Sequence, residues 1–145
     1  MNLFSHLVAI ALALLRFTAS AADVPVIGIV SRDNIIPGHE TDGDNYIAAS
    51  YAKWLESAGA RSIAIFANTT EEEVDIIFQQ INGLLMPGGN SAGPQAERRL
   101  YQLAKEANEN GDTFPIVGIC WGFQSFLLFE RDMLRIDSEV RIDLL

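Results

Sequence analysis

The stretch Pro115-Ile-Val-Gly-Ile-Cys-Trp-Gly-Phe-Gln124 constrains the fold more than any other part of the chain. Its apolar start, Pro115 to Ile119, has the character of a strand. Gly118-x-Cys120-x-Gly122 then turns the backbone sharply, and Phe123, Phe126, Leu127 and Phe129 continue at helical spacing. A strand, a tight glycine-flanked turn and a helix together hold the central residue on a strained elbow above a sheet. That residue is Cys120, the chain's single cysteine. The turn sets its thiol at a helix N-terminus, where the positive end of the dipole stabilises thiolate. A lone cysteine elsewhere reads as a small buried hydrophobe; on this elbow it reads as a nucleophile.

The segments before the elbow alternate between strand and helix. Val24 to Ser31 is a nearly continuous apolar run, as expected of a parallel strand covered on both faces. Asp33 to Asp44 reads as a loop, followed by a helix over 45–58 with Asp42 or Asp44 as its cap and Gly59 at C′. Arg61 to Phe66 is the second strand. Thr70-x-x-Glu73 forms a capping box that opens a helix through about Gln79. Gly83 to Met86 is the third strand and runs into Pro87-Gly-Gly-Asn90. Pro94 to Asn108 is a helix, stopped by Gly111 before the elbow strand begins. Leu134 to Ile142 alternates apolar and polar residues and reads as the start of a strand or hairpin. Strands and helices at this spacing predict an α/β fold of βαβ units on a parallel sheet. Ligands bind such sheets beyond the carboxyl ends of the strands, so Pro87-Gly-Gly and the elbow are expected on one rim.

Composition excludes some partners. The formal net charge of -9, from Lys+Arg 10 against Asp+Glu 19, would repel nucleic acid and anionic membrane. Leu7 to Leu15 is apolar but too short to span a bilayer. With the small residues Thr18-Ala-Ser-Ala-Ala22 after it, it reads as a secretory signal peptide over residues 1–22, cut near Ala21 or Ala22. On such a route, Asn68-Thr-Thr70 is a candidate glycosylation site at Asn68.

A thiolate that attacks a carbonyl creates a tetrahedral oxyanion, which needs backbone donors. Trp121, the residue after the nucleophile, supplies one N–H. Gly88 or Gly89 supplies another, because a residue without Cβ lets the backbone come close. Arg98 and Arg99, near the start of the helix that follows the glycine loop, are candidates to pair with substrate carboxylates, against the plainer reading of solvated helix charges. His39 reads as a solvated loop residue and is not assigned as a base.

Gly118-Ile-Cys-Trp-Gly-Phe-Gln124 resembles the nucleophile elbow of class I glutamine-amidotransferase-like proteins, and Pro87-Gly-Gly resembles their oxyanion loop. Tyr46-Ile-Ala-Ala-Ser-Tyr51, Leu55-Glu-Ser-Ala-Gly-Ala-Arg61 and Ile81-Asn-Gly-Leu-Leu-Met-Pro-Gly-Gly89 are more specific, and resemble the gamma-glutamyl hydrolase family. The resemblance runs from about Val24 to Phe126. It implies a flavodoxin-like parallel sheet and a secreted or lysosomal (vacuolar) cysteine peptidase. It further implies Cys120 as nucleophile, an oxyanion hole of Gly89 and Trp121, folylpoly-γ-glutamate as small-molecule substrate, and no metal or other cofactor. Homodimerisation goes with the full-length form. That family commonly has Glu four residues after the cysteine, where this chain has Gln124, as amidotransferases do. Its histidine base lies well downstream of the cysteine. Residues 23–145 therefore read as the amino-terminal part of such a domain, cut after the elbow helix. A glutaminase domain and a non-catalytic truncated product are the alternative readings.

Overall fold

A computed structural model describes residues 24–34, 38, 42–89 and 94–142. Four strands form its main sheet: β1 (Val26–Val30), β4 (Arg61–Ile65), β5 (Gly83–Met86) and β6 (Ile116–Gly118). They are all parallel and lie in the order β4-β1-β5-β6. Register is set by pairs such as Ile27 with Ser62, Ile27 with Gly83, and Leu84 with Ile116. The α/β expectation therefore holds. The most apolar segments take the inner positions, where both sheet faces are covered. Every residue of β5 is buried, while the edge strand β4 is largely exposed.

The helices are α1 (Ala49–Ser57), α2 (Glu71–Phe78), α3 (Pro94–Glu109) and α4 (Trp121–Ile142). Thr70 caps α2 through the predicted box: its Oγ1 accepts from the Glu73 N–H at 3.3 Å, and the Thr70 N–H donates to Glu73 Oε2 at 3.1 Å. Three N-terminal glutamates, Glu71, Glu72 and Glu73, complement the helix dipole. The core joins Val30 and Ile65 of the sheet to Val74 of α2, Leu100 of α3 and Phe129 of α4. Phe78, at the end of α2, stacks on Phe114 with ring centroids 4.4 Å apart.

Two expectations about the segment from Asp33 to Ala58 fail together. It contains a short antiparallel pair, β2 (Arg32–Asp33) with β3 (Asn45–Tyr46), and α1 starts only at Ala49. The Asn34 N–H donates to the Asp44 carbonyl at 2.9 Å, and Asn34 Nδ2 donates to the Gly43 carbonyl at 2.8 Å. That fastening places Asp44 in the hairpin, four residues before the helix cap. The N-cap is Ala48, without a side-chain cap bond. Two-residue polar strands carry no hydrophobic period, so pattern alone could not reveal them.

The predicted strand over 134–142 is also corrected, because α4 continues through Ile142. No Gly or Pro interrupts the sequence between Phe123 and Ile142, and a nucleated helix propagates until something stops it.

Candidate active site

The elbow forms because α4 must start directly over the end of β5. The Ile119 N–H still donates to the Met86 carbonyl at 3.0 Å, one residue beyond β6. Cys120 then takes a left-handed backbone, φ 52°, the only non-glycine positive φ among the described residues. Strain of this kind persists only where surrounding structure enforces it. The enforcing contact is visible at Gly122, whose N–H donates to the Ile119 carbonyl at 3.0 Å. A Cβ on Gly122 would lie 2.1 Å from the Met86 carbonyl oxygen. The glycine two residues after the cysteine is thus a requirement of helix-on-strand packing. Cys120 itself is exposed and carries a free thiol.

Pro87-Gly88-Gly89 continues β5 onto the same rim. A Cβ on Gly88 would sit 3.2 Å from Cys120 Cβ and 3.5 Å from the Tyr51 hydroxyl oxygen. The Gly88 N–H donates to that hydroxyl at 3.3 Å. Gly89 has φ 109°, a conformation that favours glycine, and a Cβ there would lie 3.2 Å from the Tyr46 hydroxyl. The expected neighbours, glycine loop and elbow, do meet. Trp121 opens α4, so its N–H is among the first-turn donors that no intrahelical carbonyl satisfies.

Four side chains around this rim were given no role from the sequence. Arg32 and Glu97 form an ion pair with side chains only 1% exposed. Arg32 also donates from Nε to the Pro87 carbonyl at 3.1 Å, and from Nη2 to the same oxygen. Tyr46 and Tyr51 stand over Gly89 and Gly88. The tyrosines belong to the Tyr46-Ile-Ala-Ala-Ser-Tyr51 segment, which carried the family resemblance without a chemical role. Arg32 gave one faint signal, a cation directly following an apolar strand.

The other candidates sit elsewhere. Arg99 makes a two-pronged bond to Asp75 of α2, at 2.7 and 2.8 Å. That bond holds the Asp75 carboxyl below, and the guanidinium above, their ordinary pKa ranges. Arg98 lies over the Phe129 ring, 4.9 Å from its centroid. Asn68 is exposed just ahead of α2. Residues 1–22, with His6, and the loop residue His39 lie outside the described residues. Among the described residues no His/Cys/Asp/Glu group is placed to hold a metal ion, and no helix is long and apolar enough to cross a membrane.

Residues 25–129 match the model of the Peptidase C26 family. The chain is 38% identical over 128 residues to the gamma-glutamyl hydrolase of Homo sapiens, covering 83% of this chain and 39% of that protein. It is 36% identical over 124 residues to gamma-glutamyl hydrolase B of Dictyostelium discoideum, covering 81% and 36%. To gamma-glutamyl hydrolase 1 of Arabidopsis thaliana it is 35% identical over 129 residues, covering 79% and 36%. The match thus spans less than two-fifths of the length of these relatives.

Proposed function

The chain belongs to the peptidase C26 family, and from that premise we propose that it carries the nucleophile and oxyanion hole of a hydrolase for γ-glutamyl bonds, with folylpoly-γ-glutamates as substrates. The observation that carries this reading is the closeness of Gly88 to Cys120, where a Cβ on the glycine would lie 3.2 Å from the cysteine Cβ, with the cysteine exposed and held at positive φ. In the proposed reaction Cys120 Sγ bonds to the γ-carbonyl carbon, and the carbonyl electron pair moves onto oxygen. Gly89 N–H and Trp121 N–H receive that oxyanion. Collapse breaks the carbon–nitrogen bond, the amine leaves with a proton, and water cleaves the thioester.

The thiol proton must pass to a base and on to the leaving amine. No described residue is assigned that role. The apolar run Leu7 to Leu15 with the small residues after it, and the Asn68 sequon, support a secretory route to the extracellular space or lysosome.

The test is incubation of the folded chain with folylpentaglutamate, followed by mass spectrometry of products and protein. Shortened folates or an acyl adduct on Cys120, both absent in Cys120→Ser, support the reading. Ammonia release from glutamine instead would favour an amidotransferase, for which Gln124 is the motivating residue. A folded chain that yields none of these would be a non-catalytic product.

A further inference from the structure

The buried pair behind the glycine loop has no place in the chemistry above, yet two charges withdrawn from water need a structural reason. Arg32 reaches the loop from the first residue of β2, and Glu97 approaches from the first turn of α3. Arg32 donates to the Pro87 carbonyl through two nitrogens. A trans peptide points its C=O and the following N–H in opposite directions, and no cis peptide occurs among the described residues. Holding the Pro87 oxygen on the buried side therefore turns the Gly88 N–H outward, onto the rim shared with Tyr51 and Cys120. The Arg32 stem also lies beside the next residue, with Cγ 3.5 Å from where a Gly89 Cβ would be.

We infer that Arg32, oriented by Glu97, is a positioning residue that fixes the orientation of the Pro87–Gly88 peptide and thereby presents the oxyanion loop to Cys120. Its relevance to catalysis rests on the hydrolase reading; its effect on the peptide does not. The planar guanidinium can grip one carbonyl with two N–H groups while a third faces the carboxylate, which a lysine cannot reproduce. Glu97 compensates the buried charge and stops Arg32 from swinging away.

Amide hydrogen exchange in the 145-residue chain, read by NMR, tests this directly. In Arg32→Met the Gly88 amide should exchange at least about tenfold faster, while Leu84 and Leu85 of β5 change by less than about twofold. Arg32→Lys and Glu97→Gln, which keep a donor and an acceptor, should give intermediate Gly88 rates. Glu97→Gln decides the matter if Arg32→Met does not fold. An unchanged Gly88 rate overturns the inference, and so does an equal rise at Gly88, Leu84 and Leu85, which would mean general loosening. A second readout separates this proposal from the hydrolase reading. Labelling of Cys120 by a γ-glutamyl chloromethyl ketone should slow in the variants, while labelling by iodoacetamide, which needs no oxyanion donor, stays constant. A Gly88 response with unaltered ketone labelling keeps the positioning role and counts against the hydrolase chemistry.

Discussion

The inner strands of the sheet and its β6–α4 edge are built to different standards of closure. On the β1–β5 side, Ile29, Val30, Leu84, Leu85 and Met86 are at most 1% exposed, and the charges there are paired. On the β6–α4 side, Val117 is 42% exposed, Phe123 54% and Leu127 57%. Phe123 and Leu127 are four residues apart and share one helix face. The difference shows where the fold is self-sufficient. The inner strands β1 and β5 are finished by packed side chains, whereas the β6–α4 edge that carries Cys120, like edge strand β4 with Ile63 36% exposed, leaves apolar surface of the kind that marks a contact face. β5 and β6 pair along their length, and α4 adds a further close backbone approach where it starts over the end of β5.

That junction gives the largest expected effect. Gly122→Ala would drive a methyl into the Met86 carbonyl, and should cost about 4 kcal/mol or prevent folding. A urea midpoint close to wild type would show that the elbow can relax and that α4 and β5 are less tightly joined. Leu100→Ala, in the closed core and fully buried, should cost about 3 kcal/mol, while Leu127→Ala on the open face should stay within about 0.5 kcal/mol. Equal losses in denaturant titrations would erase the contrast. Thr70→Ala removes the capping box of α2 and should cost about 1 kcal/mol in the same measurement, with Cys120 alkylation unchanged.

The smallest effect is expected at a side-chain link between α3 and α4. Lys105 and Tyr101 of α3 both donate to Glu130 of α4, at 2.8 and 2.6 Å. The Lys105 bond first, and then the Tyr101 bond, hold the Glu130 carboxyl below its ordinary range. Its stabilising contribution is therefore present above about pH 4 and is lost as pH falls through the depressed folded value. Because both charged partners are about one-third exposed, solvent screening keeps this contribution small. The Tm advantage of wild type over Glu130→Gln at neutral pH should shrink steadily as pH is lowered below about 4. A difference independent of pH would show that Glu130 acts through packing alone.

Most of the sheet was legible because apolar runs and glycine turns are local signals. β5 falls where its sequence predicts, and the Thr70 box forms as written. The β2–β3 hairpin was not legible. It is made of two residue pairs held by hydrogen bonds, and displaces the start of α1 from Asn45 to Ala49. The same hairpin brings Arg32 and Tyr46 to the glycine loop, so these two missed parts of the site share that cause. The helical course of α4 to Ile142 was missed because alternating residues suggested a strand where no breaker required one.

By itself the sequence determined the order of the four main strands and the helices between them, the elbow around Cys120 and the proximity expected of the glycine loop. Period, capping and turn chemistry all act within a few residues, and so can be read along a chain. Tertiary structure alone decided that Arg32 meets Glu97 across 65 positions, that Arg32 also donates to the Pro87 carbonyl, and that Arg99 is bound to Asp75. Those pairings follow from which strand ends lie side by side in the β4-β1-β5-β6 order. A buried charge finds its partner through space, and no local pattern records the meeting.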